Sequence, residues 1–171
     1  MNSTSPQNPS PAQPACWQRI FRRIISTRSG ARFASKTGHR IDRLGFRMLN
    51  GRFLFSNVLV GLPIVMLNVE GAKSKRSFTI PLVGIPAEDK ILLVASNWGG
   101  ARHPAWYYNI LANPEVTLTV QGQTKRYVAH EASGAEREGY WRTVVDFYPG
   151  YGAYQARTGE RQIPIMVLES M

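Results

Sequence analysis

Chemistry in this chain concentrates where short polar groups meet glycine and positive charge. Residues 95–109, ASNWGGARHPAWYYN, place Ser96, Asn97, Trp98, Gly99 and Gly100 at the end of an apolar run, ahead of Arg102, His103 and an aromatic block led by Pro104. A strand that ends in Ser96–Asn97 and bends at Gly99–Gly100 exposes backbone N–H groups near a helix start, an arrangement that receives negatively charged groups. Arg102 adds charge to the loop. His103 reads as a solvated residue ahead of Pro104, with a ligand role as the alternative. Trp106, Tyr107 and Tyr108 cannot share one helix face, so one of them stacks on a ligand and the others pack in the core.

Two further groupings carry chemistry. In GAKSKRS (71–77), Gly71 permits a tight turn, Lys73, Lys75 and Arg76 supply cations, and Ser74 and Ser77 supply hydroxyls. This is either an anion clamp for a phosphate or polycarboxylate tail, or a solubilising hairpin tip. Tyr148, Tyr151 and Tyr154 recur every third residue with Gly150 and Gly152 between them. On a helix they would form a column of phenols, serving as core packing or as a wall over a flat ring system. No carboxylate pair, Ser/His/Asp order or Cys/His pair stands out, which leaves hydrolysis and acyl transfer without support. The single Cys16 and the three dispersed histidines leave metal binding without a ligand set.

The elements that must position these groups are short. Strand-type runs occur at 63–69, 78–85, 90–96, 115–121, 124–132 and 162–170. Residues 103–113 read as a short helix with Pro104 in its first turn and Asn113–Pro114 at its end. Ser133 and Glu136 have capping-box spacing, and Tyr140, Trp141, Val144, Val145 and Tyr148 follow at helical spacing, predicting about four turns that end at Pro149–Gly150. Six meandering strands with a helix after the third and another before the last predict a mainly β, α+β fold, a small antiparallel barrel with flanking helices. Neither GxGxxG nor a Walker A sequence is present, and a Rossmann sheet is disfavoured.

Charge divides the chain. Of 21 Lys and Arg, ten fall in residues 1–52 against one acid, Asp42, giving +9 there, while the other 119 residues carry 11 bases and 10 acids. A nearly neutral body argues against nucleic-acid binding through a basic face. Residues 1–15, rich in Pro, Ser, Asn and Gln, are expected to be disordered. Residues 16–52 form a basic amphipathic arm, in which Trp17, Ile20, Phe21, Ile24 and Ile25 share one helix face and Arg19, Arg22 and Arg23 the other. Such a helix either lies in the headgroup layer of an anionic membrane or packs on its own domain; a transit peptide is a third possibility. The apolar stretch 53–67 is too short and too interrupted to span a bilayer, and no signal peptide is expected. Residues 53–171 make up the barrel domain.

The stretches EGAKSKRS with Pro81–Leu82, LLVASNWGGARHPAWYYNILANPEV (92–116), YWRTVVDFYPGYGAYQART (140–158) and IPIMVLE (163–169) together resemble the deazaflavin-dependent nitroreductases, actinobacterial split β-barrel proteins that use coenzyme F420. The resemblance runs in order from Ile64 to Glu169. It implies a split barrel and an F420-dependent oxidoreductase. It implies that Lys73, with Lys75 and Arg76, clamps the cofactor's phosphate and glutamate tail. Ser96 and Asn97, with the Gly99–Gly100 backbone, would line the deazaflavin, and Trp106 and Asn109 would pack near its tail; from their own places in the loop, Trp98 is expected to set how tightly the cofactor fits and Arg102 to meet the anionic tail. Tyr148, Tyr151 and Tyr154 would line the substrate side of the ring. The implied reaction is hydride transfer from reduced F420 to a quinone, nitroaromatic or activated alkene, assisted by Ser96 or a tyrosine hydroxyl.

The chain departs from the family pattern at Ala72, Lys75 and Phe78 in the basic turn, at Val83 and Gly84 after Pro81–Leu82, and at Trp98 ahead of the glycines. The basic arm favours a quinone-like acceptor met at the inner face of the plasma membrane. The alternatives on the same barrel are a non-catalytic lipid, fatty-acid or cofactor carrier and an FMN-binding oxidoreductase.

Overall fold

The computed structural model describes residues 62–171. The expectations for the 1–15 tail, the 16–52 arm and positions 53–61 lie outside these residues. Seven strands, β1 (Ile64–Glu70), β2 (Ser77–Val83), β3 (Ile85–Ala87), β4 (Lys90–Val94), β5 (Glu115–Val120), β6 (Gln123–Glu131) and β7 (Ile165–Ser170), form one sheet in which every pairing is antiparallel. Among the described residues three helices accompany them: α1 (Ala105–Ala112), α2 (Gly134–Phe147) and α3 (Gly150–Arg157). A short 3-10 turn spans Asn97–Gly99.

The order of strands across the sheet is β2-β1-β5-β6-β7-β4-β3. Strands β2 and β3 thus sit at opposite edges although only Gly84 separates them in sequence. One run of chain serves both edges only when the sheet curls until they meet, so the architecture is a split barrel turned at Gly84. The Gly84 N–H donates to the Pro63 carbonyl at 3.0 Å, and a Cβ at this position would lie 2.5 Å from Val65 Cγ1. Glycine is therefore required by contact, not by an unusual φ. The continuous apolar run 78–85, expected as one strand, is two strands with a corner between them.

Alternation sets the faces. In β5 Val116 and Leu118 are buried while Thr117 and Thr119 face outward, the period-two pattern of a strand with one covered face. The interior strand β7 is covered on both sides: Met166 and Leu168 enter one core, Ile165 and Val167 the other. Replacing fully buried Leu168 by Ala is expected to cost about 2–5 kcal/mol.

Helix α1 supplies Trp106, Tyr107 and Ile110 to the first core. Pro104 has extended geometry and stands as the N-cap rather than inside the first turn. The helix stops where the Asn113 N–H bonds the Asn109 carbonyl at 2.9 Å and Pro114 forbids continuation. Helices α2 and α3 cover the second core with Val144, Tyr148, Tyr151 and Tyr154. The expected capping box at Ser133 and Glu136 does not form. Ser133 is the N-cap without a side-chain bond, and Glu136 Oε1 instead meets His130 Nε2 at 3.0 Å. Among the described residues no helix is long and apolar enough to cross a membrane.

Candidate functional site

The loop after β4 is built around three successive residues with positive φ, Asn97 (47°), Trp98 (57°) and Gly99 (76°). Only glycine adopts this region freely, so Asn97 and above all Trp98 are held there by their surroundings. Gly99 is fixed twice over, because a Cβ would approach the Tyr154 carbonyl oxygen to 3.0 Å and Arg157 Nε to 3.1 Å. Contrary to the expectation from sequence, Gly99 and Gly100 do not offer free N–H groups. Gly99 N–H donates to Ser96 O at 3.0 Å and Gly100 N–H to Asn97 O at 2.9 Å, so both are spent in closing the turn. Asn97 Nδ2 donates to the Arg102 carbonyl at 2.9 Å, which ties the side chain to the loop itself. Ser96 is half-buried, and its hydroxyl has no hydrogen-bond partner among the described residues.

Two arginines brace this loop, one ending α3 and the other four residues beyond it. Arg161 donates from Nε to Gly100 O at 3.1 Å, from Nη1 to Ala95 O at 3.4 Å and from Nη2 to Ser96 O at 2.9 Å. Its Nη1 also meets His103 Nδ1 at 3.0 Å. Arg157 donates from Nη2 to Trp98 O at 3.3 Å and lies 4.9 Å from the centre of the Tyr154 ring. Trp98 packs edge-on against Tyr154, with ring centroids 6.2 Å apart. His103 is therefore an engaged side chain rather than a solvated cap residue. Burial first and the adjoining Arg161 charge second lower its pKa, so the ring is neutral and accepts from Arg161.

The basic turn sits at the other end of α1. Asn109 Oδ1 accepts the Ala72 N–H at 3.1 Å, and Asn113 Nδ2 donates to Glu70 O at 3.2 Å, so one helical face grips both sides of the turn. The turn closes on itself through Gly71 N–H to Arg76 O at 2.8 Å and Lys75 N–H to Gly71 O at 3.0 Å. Lys75 pairs with Glu70 at 3.1 Å. Lys73 and Arg76 are exposed, and among the described residues neither has an ion-pair partner. With eight residues, α1 is about 12 Å long, which sets the distance scale between turn and loop.

The tyrosines do not form a column. Tyr148, Tyr151 and Tyr154 are packed edge to face in a triangle with centroids 5.4, 5.9 and 6.2 Å apart. Tyr148 precedes α3, and its ring lies over Gly150, where a Cβ would come within 2.3 Å of it. All three rings are buried in the core under α2 and α3. Burial pushes the Tyr151 and Tyr154 hydroxyls well above the ordinary phenol range, with neighbouring tyrosines adding to the shift. Tyr107 donates to Glu131 Oε2 at 2.8 Å, and burial followed by that bond pushes it up to about 12.

The structure thus brings Ser96, Asn97, Trp98, Gly99 and Gly100 together with Tyr154, and Asn109 together with Lys73, Lys75 and Arg76. Trp106 is a buried core residue of α1, and Arg102 is exposed with its carbonyl held by Asn97. Sequence reasoning misses Arg157, Arg161 and Asn113. Their partners lie 43 to 66 residues away, beyond any local period. The available signal is two arginines in the short polar ARTGER link, in a body whose charge is otherwise nearly balanced.

The F420H(2)-dependent quinone reductase family model matches residues 31–170. The chain is 34% identical over 129 residues to the F420H(2)-dependent quinone reductase Rv1261c of Mycobacterium tuberculosis, covering 72% of this chain and 83% of that one. Among solved structures it is similar to the F420-H2 dependent reductase FDR-A, with 38% identity, TM-score 0.58, and coverage of 63% of this chain and 94% of that chain. It is also similar to a structure described as a domain-swapped dimer, with 32% identity, TM-score 0.60, and coverage of 77% and 98%.

Proposed function

Because the chain belongs to the F420H(2)-dependent quinone reductase family and is an F420-dependent oxidoreductase, we propose that it reduces a quinone at the loop between β4 and α1. The observation that carries this reading is the placement of two unlike sites at the two ends of α1. At one end Lys73 and Arg76 are exposed cations with no ion-pair partner among the described residues. At the other end the Ser96–Gly100 loop carries a hydroxyl that no described residue engages and an Arg-braced backbone. Cations suited to phosphate and carboxylate, spaced from a loop suited to a polar ring edge, fit an elongated cofactor with an anionic tail.

In this reading Lys73 and Arg76 hold the tail, with Lys75 held in reserve by Glu70. Ser96 hydrogen-bonds the ring or the bound acceptor, and Trp98 borders the ring from its strained position over Tyr154. Tyr148, Tyr151 and Tyr154 support the substrate side from beneath, and burial keeps Tyr151 and Tyr154 protonated across the physiological range. Reduced F420 supplies the hydride when bound. The accompanying proton comes from solvent through Ser96, because the three phenols are buried in the core. Nitroaromatics and activated alkenes are further acceptors of the same chemistry.

The discriminating experiment is equilibrium binding of F420, FMN and a fatty acid to the purified protein. Micromolar F420 binding that is weakened by Lys73→Ala and by Ser96→Ala supports the reading. Tight FMN or fatty-acid binding with no F420 binding would replace it with a flavin enzyme or a carrier. We place the protein on the cytoplasmic side, peripherally attached to the plasma membrane through residues 16–52, where a lipid-soluble quinone is accessible. What supports this is the +9 charge of residues 1–52 and their amphipathic spacing. Co-sedimentation with anionic vesicles, lost on deleting residues 1–30, is the expected result; retention after deletion contradicts it.

A further inference from the structure

We infer that Arg161 is the positioning residue that holds the 95–103 loop in its ligand-receiving shape and places beneath it a positive charge that no carboxylate among the described residues pairs with. The inference rests on the reading of that loop as the ring site. Three consecutive residues of positive φ do not persist in a free loop when two of them carry side chains. An external brace is needed, and it has to hold the loop on both sides of the strained triple. Arg161 does so: it binds Ala95 and Ser96 on the entering side and Gly100 and His103 on the leaving side. Arg157 adds a hold at the centre, on the Trp98 carbonyl.

The planar fork makes this possible. Its donors point along two edges, so a single side chain gathers acceptors that lie on opposite sides of it, which the point charge of a lysine cannot reproduce. All four partners are neutral, three backbone carbonyls and an imidazole. No carboxylate pairs with Arg161 among the described residues. Its charge therefore serves no ion pair there, and in a half-buried setting it is screened less than a surface charge. The carbonyls that accept from it are neutral dipoles, so the guanidinium keeps its net positive charge, which suits an anionic or electron-rich ring edge. The brace continues into the fold, because the His103 ring packs on Tyr107 at 4.8 Å and Tyr107 bonds Glu131.

The test compares wild type, Arg161→Lys and His103→Phe, with Arg142→Lys on the exposed face of α2 as the control. F420 affinity, KM and kcat with reduced F420, and amide hydrogen exchange at Gly99 and Gly100 are measured for each. Arg161→Lys is expected to weaken F420 binding and raise KM at least about tenfold, with kcat within about threefold. It is also expected to speed exchange at both glycine amides. His103→Phe, which removes one of the four acceptors, should show the same changes at a smaller size. A purely structural defect would lower the active fraction, and so kcat, while leaving KM in place. If Arg161→Lys does not fold, the outcome for His103→Phe decides between the two. Wild-type affinity and exchange in both variants overturn the inference while leaving the F420 reading intact. Absence of F420 binding by wild type removes that reading and the inference with it.

Discussion

Arg161 Nη2 donates to the Ser96 backbone carbonyl at 2.9 Å, joining the turn before β7 to the loop after β4 across 65 residues of sequence. The loop proposed to receive the cofactor is therefore shaped by a side chain that no local pattern would associate with it. Ser96 keeps its hydroxyl free of the described residues while its carbonyl is held, which fixes the backbone from which that hydroxyl projects.

Gly99→Ala is expected to strain the same loop. The substitution forces a Cβ onto a φ of +76° and to within 3.0 Å of the Tyr154 carbonyl. A loss of about 1–3 kcal/mol in urea unfolding is expected, with weaker F420 binding. Unchanged stability would mean that the loop accommodates a side chain there.

The three cations of the basic turn are not equivalent. Lys73→Ala and Arg76→Ala should each weaken F420 binding about tenfold, because each removes a charge that no described residue neutralises. Lys75→Ala should cost less, since Lys75 already pairs with Glu70 at 3.1 Å. Binding titrations at low and high salt check this ranking, and the Lys73 and Arg76 contributions should shrink as salt rises.

Asn109→Ala leaves the Ala72 N–H without its acceptor. A stability loss of about 1 kcal/mol is expected, together with weaker cofactor binding from a turn no longer tied to α1. Chemical denaturation and F420 titration read the two effects separately. A loss of stability with wild-type affinity would show that the turn needs no anchoring to work.

His103 should make binding sensitive to acid. The groups facing it are Arg161, Glu131, Tyr107 and Tyr108, and its pKa in the fold lies below the ordinary 6.5. A histidine with a depressed pKa favours folding in its neutral form. Its contribution is present above about pH 6.5 and is lost as pH falls through the lower folded value. Protonation also removes the acceptor for Arg161 and sets two cations against each other. Affinity for F420 should therefore drop on acidification, and His103→Gln should flatten that dependence. An identical pH profile in the variant would assign the effect elsewhere.

Much of the fold is legible in the sequence because half-covered strands alternate. Val116 and Leu118 against Thr117 and Thr119 announce β5 without reference to anything distant. The corner at Gly84 is not legible, since the apolar run continues through it and only barrel closure sends its halves to opposite edges. The residue types of the candidate site are legible in the Ser96–Gly100 loop and in the basic turn. The roles of the tyrosines are less so: spacing three suggests a column, whereas Tyr148 lies before α3 and the rings meet edge to face. The engagement of the glycine N–H groups is hidden because a sequence does not reveal which amides a turn consumes.

The most direct test of F420-dependent quinone reduction is anaerobic mixing of the full chain with reduced F420 and a soluble quinone, following the return of the oxidised deazaflavin absorbance. The expected result is oxidation that depends on both protein and quinone, saturates with reduced F420, and requires at least about tenfold more of it in Lys73→Ala. Oxidation no faster with the protein than without it would contradict the assignment.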